Sequence, residues 1–119
     1  MISKVNLRAK FELFSERWSP KIVAELNGSY VKLARLQGEF VWHHHEQEDE
    51  LFLVVKGQLT IKLRDGDLVL EEGELTIVPR GIEHLPVADE EAWVLLLEPT
   101  STSNTGSIQN ERTVNSHWI

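Results

Sequence analysis

Residues 21–99 predict an all-β domain, a single antiparallel jelly-roll β-barrel with a short N-terminal helix in front of it. Three observations carry that expectation. Short apolar runs recur along this stretch, separated by Gly, Asp and Pro, as in the strands of sandwiches and barrels. Asn27-Gly28 stands between two such runs, and this dipeptide suits a tight hairpin turn in which both turn residues need positive φ. The strands are too numerous to leave room for the crossover helices that a parallel sheet requires.

The elements follow in order. Residues 6–18 are the one plausible helix: Leu7, Phe11 and Phe14 recur at helical spacing, Asn6 is a good N-cap and Pro20 ends the segment. Residues 22–26 and 30–36 flank Asn27-Gly28 as a hairpin. Next come strands at 40–45 and 51–56, a turn at Gly57, and a strand at 59–63. Asp65-Gly66 turns the chain into 68–70, and Glu72-Gly73 turns it into 75–78; strands at 84–87 and 93–98 complete the set. Closing the sheet would hide edges that a Val- and Leu-rich strand set otherwise leaves open. After Pro99, residues 100–107 contain only Thr, Ser, Asn and Gly, whereas Trp118 and Ile119 are large and apolar. The expected organisation is a helical extension (1–20), a barrel (21–99), and a polar crossing segment with a docked tail (100–119).

Size and charge limit what this domain does. The chain has 119 residues, enough for one domain with its own core. The longest apolar stretches, 51–55 and 92–97, fall far below the roughly 20 residues that cross a bilayer. The first residues lack an apolar stretch of signal-peptide length. There is no cysteine, so any metal must be held by nitrogen and oxygen, and a cytoplasmic location is expected. The net charge is -7, and the 12 Lys and Arg residues are scattered without a run. The charge therefore argues against a bulk nucleic-acid binder.

The chemistry concentrates in four residues. His43 and His45 are two apart, so an extended backbone points both to one face. Glu50 follows five residues after His45, and His84 lies beyond Pro79 and Gly81. Imidazoles with a single carboxylate suit zinc, iron, nickel, copper or manganese better than calcium or magnesium. His44 points away from its neighbours. Glu46, Glu48 and Asp49 form a solvated acidic loop that would raise the local cation concentration.

These residues stand in two spaced motifs. Gly38, His43, His45, Glu50 and Gly57 form the first, and Gly73, Pro79, Gly81 and His84 the second. With both in order and a hairpin between them, the chain resembles a small single-domain cupin of the RmlC-like jelly-roll type, in the mannose-6-phosphate isomerase-like group. The resemblance covers about residues 31–99. Two departures are visible: only four residues separate Gly38 from His43 where five are usual, and Ala88 stands where the second motif has asparagine.

The resemblance implies that His43, His45, Glu50 and His84 ligate one divalent transition metal per chain inside the barrel, leaving coordination positions for water or substrate. Asp49 competes with Glu50; Leu51 and Leu53 set a register that favours Glu50, on the face of Phe52. Arg80, near His84, is a surface charge or meets an anionic substrate at the barrel mouth. Trp42 points outward, into a subunit interface or under the tail. Trp18, Trp93 and Trp118 are assigned to packing, and His117 to solvent.

Three functions fit: a metal-dependent binder of a small polar molecule (a sugar, sugar phosphate or organic acid) with catalysis undecided, a metal-dependent dioxygenase, and a non-catalytic sensor or storage barrel. An isomerase would need an acid and a base that the motifs do not supply. The expected partners are a small-molecule ligand and a second copy of the chain, with the N-terminal hairpin as a candidate dimer surface. Neither nucleic acid nor a membrane is expected.

Overall fold

The computed structural model describes residues 2–119, and the fold is all-β with one short helix. Helix α1 is Leu7–Phe11; the strands are β1 Lys21–Leu26, β2 Ser29–Glu39, β3 Glu50–Lys56, β4 Leu59–Leu63, β5 Gly66–Leu70, β6 Leu75–Val78, β7 His84–Pro99 and β8 His117–Trp118. No helix among the described residues is long and apolar enough to cross a membrane.

Strand β7 organises the sheet. One edge runs along β2 from Ser29↔Pro99 to Glu39↔Val87. The other edge is shared: residues 84–87 pair with β4, and residues 93–97 pair with β3, which also carries β6. The two arms curl around Ala34, Leu36, Phe52, Val54, Leu59, Ile61, Val94 and Leu96. The path β5-β4-β7-β2-β1-β8 does not close on itself, so the expected shielding of edges by closure is corrected: β5 and β8 end the path, and β6 pairs only with β3.

Other expectations need correction too. The helix predicted over 6–18 spans only Leu7–Phe11, although Asn6 caps it as expected, accepting from the Ala9 amide at 2.9 Å. The spacing of Leu7, Phe11 and Phe14 serves docking instead. Phe11 stacks on Trp93 at 4.7 Å, and Phe14 joins it against Val23 and Leu33 on the outer face of the sheet. Truncating a fully buried phenylalanine such as Phe11 to alanine costs about 3–5 kcal/mol. Residues 40–45 are not a strand; only His43 bridges to His84. The hairpin at Asn27-Gly28 forms as read, with φ of 46° and 78° and Leu26 facing Ser29. Strand β8 runs parallel to β1 rather than antiparallel.

Candidate metal centre

Three segments bring the four residues together. His43 and His84 exchange backbone hydrogen bonds of 3.1 and 2.9 Å, so their rings lie side by side with centroids 4.3 Å apart. The Gly81 amide donates to the His45 carbonyl at 2.7 Å, tying the 79–82 turn to the same segment. That turn needs φ of +81° at Gly81, a region open to glycine at little cost. Strand β3 supplies Glu50, paired with Val78 and sharing the inward face with Phe52 and Val54.

All four side chains are buried, and one donor atom from each lies within 4.8 Å of the others. Ring orientation is fixed from outside the group. His43 Nδ1 and His84 Nδ1 each meet the carbonyl oxygen two residues back, of Val41 and Ile82, at 2.9 Å. A carbonyl only accepts, so both Nδ1 atoms carry the hydrogen, and in the neutral ring Nε2 presents a lone pair. Nε2 of His45 and of His84 stand 3.3 and 3.5 Å from Glu50 Oε1. None of these three buried atoms finds a hydrogen-bond partner among the described residues. Facing lone pairs in a dry site accept a cation, and nitrogen with a single carboxylate oxygen fits a divalent transition ion. The group could hold a metal.

The electrostatics agree with that donor set. Burial, reinforced by the charge of His84, lowers the His43 pKa from 6.5 to about 4, so the ring is neutral at pH 7. Burial also opposes ionisation of Glu50, but the polar surroundings supplied by Glu98, His45 and His84 outweigh it and hold its carboxyl well below the usual range. Glu98 goes the other way: burial, then the charge of Glu50, pushes its carboxyl well above that range. Of the two carboxyls Glu50 is therefore the more acidic, and a proton entering the pair settles first on Glu98.

A cavity of about 40 Å³ adjoins the group. His43, Glu50, Glu98 and Asn104 supply its polar wall, and Trp18, Phe40, Phe52 and Leu96 much of the rest. Trp18 adopts φ of 58°, unusual for a bulky residue. Its backbone amide donates to Arg35, its indole Nε1 donates to the Gln37 carbonyl, both at 2.9 Å, and its ring stacks on Phe40 at 4.7 Å. Arg112 from the tail lies over Phe40 at 4.9 Å. Phe40 meets His43 edge-on at 5.4 Å, so the aromatic wall braces a member of the group.

The remaining predicted residues fall as follows. Asp49 is exposed, and its carboxylate accepts from the Arg80 backbone amide at 2.9 Å and pairs with that guanidinium; it takes no place in the group. Arg80 is thereby a surface charge. His44 turns outward to Glu46 and Ser107. Trp42 lies under the Arg64 guanidinium at 3.7 Å rather than under the tail. Trp118 docks edge-on against Tyr30 at 5.8 Å, and Ile119 packs on the outer cluster.

Sequence reasoning missed Glu98, Lys32, Asn104 and Trp18. A signal existed for the first two: Tyr30, Lys32, Ala34 and Leu36 alternate on one face, as do Val94, Leu96 and Glu98, which puts charges on inward positions. Nothing in the polar run 100–107 singles out Asn104.

Comparison with known proteins bears on the same residues. Residues 30–98 match the family described as a cupin domain. A cupin-2 domain containing protein from Shewanella frigidimarina NCIMB 400 is 44% identical, with 80% of this chain and 93% of that one covered and a TM-score of 0.79. Protein NMB1881 from Neisseria meningitidis is 27% identical over 82% of this chain and 100% of that one, with a TM-score of 0.76. Protein YdbB of Bacillus subtilis (strain 168) is 36% identical over 80 residues, 66% of this chain and 71% of that protein.

Proposed function

The chain belongs to the cupin domain family, and on that premise we propose that it binds one divalent transition metal through His43, His45, Glu50 and His84 and takes a small polar molecule at that ion. The observation that carries this reading is the convergence of four buried donor atoms, three of them without a hydrogen-bond partner among the described residues. When bound, the ion supplies Lewis acidity toward an oxygen donor of the ligand. The protein's residues do the rest. His43 and His84 are held in orientation by backbone carbonyls, Glu50 contributes the negative charge, and Trp18, Phe40 and Phe52 give the cavity an apolar wall.

Metal analysis of the purified, untagged protein after growth with zinc, iron and nickel is expected to find about one divalent ion per chain. His84→Ala and His45→Ala each remove most of it. A wild type that carries no metal refutes the reading.

The apolar walls favour one second reading, a dioxygenase, because dioxygen partitions into apolar space. Oxygen uptake by the iron-loaded protein with small organic acids and diols distinguishes it from a binder. Stabilisation by the same compounds without turnover supports binding alone.

A homodimer belongs to the same proposal. Leu75 and Ile77 are each 55% exposed and pair across strands with Leu53 and Leu51, which adjoin Leu95 and Leu97. This apolar outer face suits a second copy better than the N-terminal hairpin, whose β1 edge is partly covered by β8.

A further inference from the structure

Two charged residues stand inside the core and belong to neither motif. Lys32 on β2 and Glu98 on β7 pair at 2.9 Å, with side chains only 4% and 2% exposed. The inward residues nearby are Ala34, Leu36, Phe52 and Leu96. An apolar pair of similar volume in such a place is often equally stable or more so. Folding alone gives no reason for the charges.

The cavity supplies one. Glu98 lines it together with His43 and Glu50. Lys32 holds Glu98 Oε1 and so fixes the direction of the carboxyl, while the buried Oε2 receives no hydrogen bond from any described N–H or hydroxyl. That oxygen therefore keeps a lone pair for an incoming hydroxyl. Asn104, the other polar residue of the wall outside the metal group, is committed to the tail. Its Nδ2 donates to the Arg112 carbonyl at 2.8 Å, and its Oδ1 accepts from the Val114 amide at 3.0 Å. Free hydrogen-bonding capacity in the cavity is thus concentrated at the metal group and at Glu98, with the Glu98 carboxyl in contact with Glu50.

We propose that the Lys32–Glu98 pair reads the ligand, and that the site selects a small molecule with a hydroxyl next to its metal-binding oxygen, as in a short α-hydroxy acid. The proposal rests on the metal-binding reading above and narrows its ligand class. A cavity of about 40 Å³ has room for about three waters beside the metal group, which suits a compact ligand such as a short hydroxy acid. One oxygen of the carboxylate would meet the ion, and the neighbouring hydroxyl would reach Glu98, which is one ligand residue removed from that ion. The carbon skeleton lies against Phe40, Phe52 and Leu96. An analogue without the hydroxyl leaves Glu98 Oε2 unmet, and sites built around a hydrogen bond reject such analogues more strongly than apolar pockets reject a missing methylene.

The test uses the full chain loaded with Co(II), titrated with glycolate and with acetate while the visible absorption of cobalt is followed. Cobalt content is measured in every sample. Wild type is expected to bind glycolate at least about tenfold more tightly than acetate. Lys32→Met/Glu98→Leu should still hold cobalt, with the glycolate-to-acetate ratio within about twofold of unity; Glu98→Gln should lower the ratio at least about threefold. Equal affinities in wild type, or a preference that survives both variants, overturn the proposal and leave the metal reading standing. Absence of cobalt from wild type sinks the metal reading and this inference with it. If the double variant does not fold, the wild-type and Glu98→Gln ratios decide.

Discussion

Glu50 and His84 ride on strands whose register is fixed by neighbours, Glu50 against Val78 and His84 against Leu63. Asn104, on the other side of the same cavity, rides on an irregular tail held by hydrogen bonds among its own side chains. Thr105 is fully buried; its hydroxyl donates to the Ile108 carbonyl and adjoins that of Thr113, which in turn accepts from the Asn110 amide. The contrast follows from the task of each region. Donor atoms must be placed to within about half an ångström, which paired strands achieve. A roof only has to satisfy its own backbone polar groups, and short hydroxyl and amide side chains do that without a core. The floor should therefore open only with global unfolding, and the roof at lower cost.

The largest effect expected at the floor, beyond ligand removal, is its pH dependence. His43 titrates at about 4 in the folded protein against 6.5 for the free side chain. The unfolded chain thus binds the extra proton between those values. The stabilisation is complete above pH 6.5 and is lost as pH falls toward 4, by roughly 3 kcal/mol. Glu98, with its raised pKa, works in the opposite sense, so the comparison of wild type with His43→Gln isolates the histidine. Urea midpoints of metal-free protein from pH 7 to 4 should fall more steeply for wild type. Parallel curves would show that His43 is not buried as described.

At the roof, Gly106 has φ of +64° and its Cα lies against the His44 peptide, where a Cβ would collide with the carbonyl. Gly106→Ala is expected to cost about 1–3 kcal/mol of local stability. It should speed proteolysis between residues 100 and 116 while the far-ultraviolet circular dichroism of the sheet stays unchanged. A loss of the whole fold instead would mean that roof and floor are one cooperative unit.

The smallest effect separates two adjacent carboxylates. Asp49 is exposed and pairs with Arg80 at the surface, so Asp49→Asn should leave the urea midpoint essentially unchanged. Metal content should not change. A marked drop in bound metal would move the carboxylate ligand from Glu50 to Asp49.

The sequence was legible where one local rule governs. Asn27-Gly28 made its turn, alternation put Glu50 with Phe52, and His43 and His45 met His84 at the start of β7. It was less legible where a local pattern has two uses. Leu7, Phe11 and Phe14 are spaced as a helix face, yet Phe14 serves as a docking residue beyond a five-residue helix. Phe40 to His45 reads as a strand, but only His43 forms a β-bridge. Glu98 closes an apolar run, and only the fold reveals that Lys32 waits across the sheet to receive it. Asn104 and Arg112 lie in a polar segment without periodicity, so their position over the cavity depends on contacts distant in sequence.

Ser107 donates its amide to the carbonyl of His44 at 3.2 Å, and His44 is the residue between two of the imidazole donors. A single peptide group is therefore a pivot common to the centre and its cover. If the proposed ion displaced positions 43 and 45 on binding, that link would carry the shift to positions 106 and 107. Since the side chain of Ser107 faces solvent, a fluorophore attached there would signal filling of the centre from outside, like a needle on a gauge.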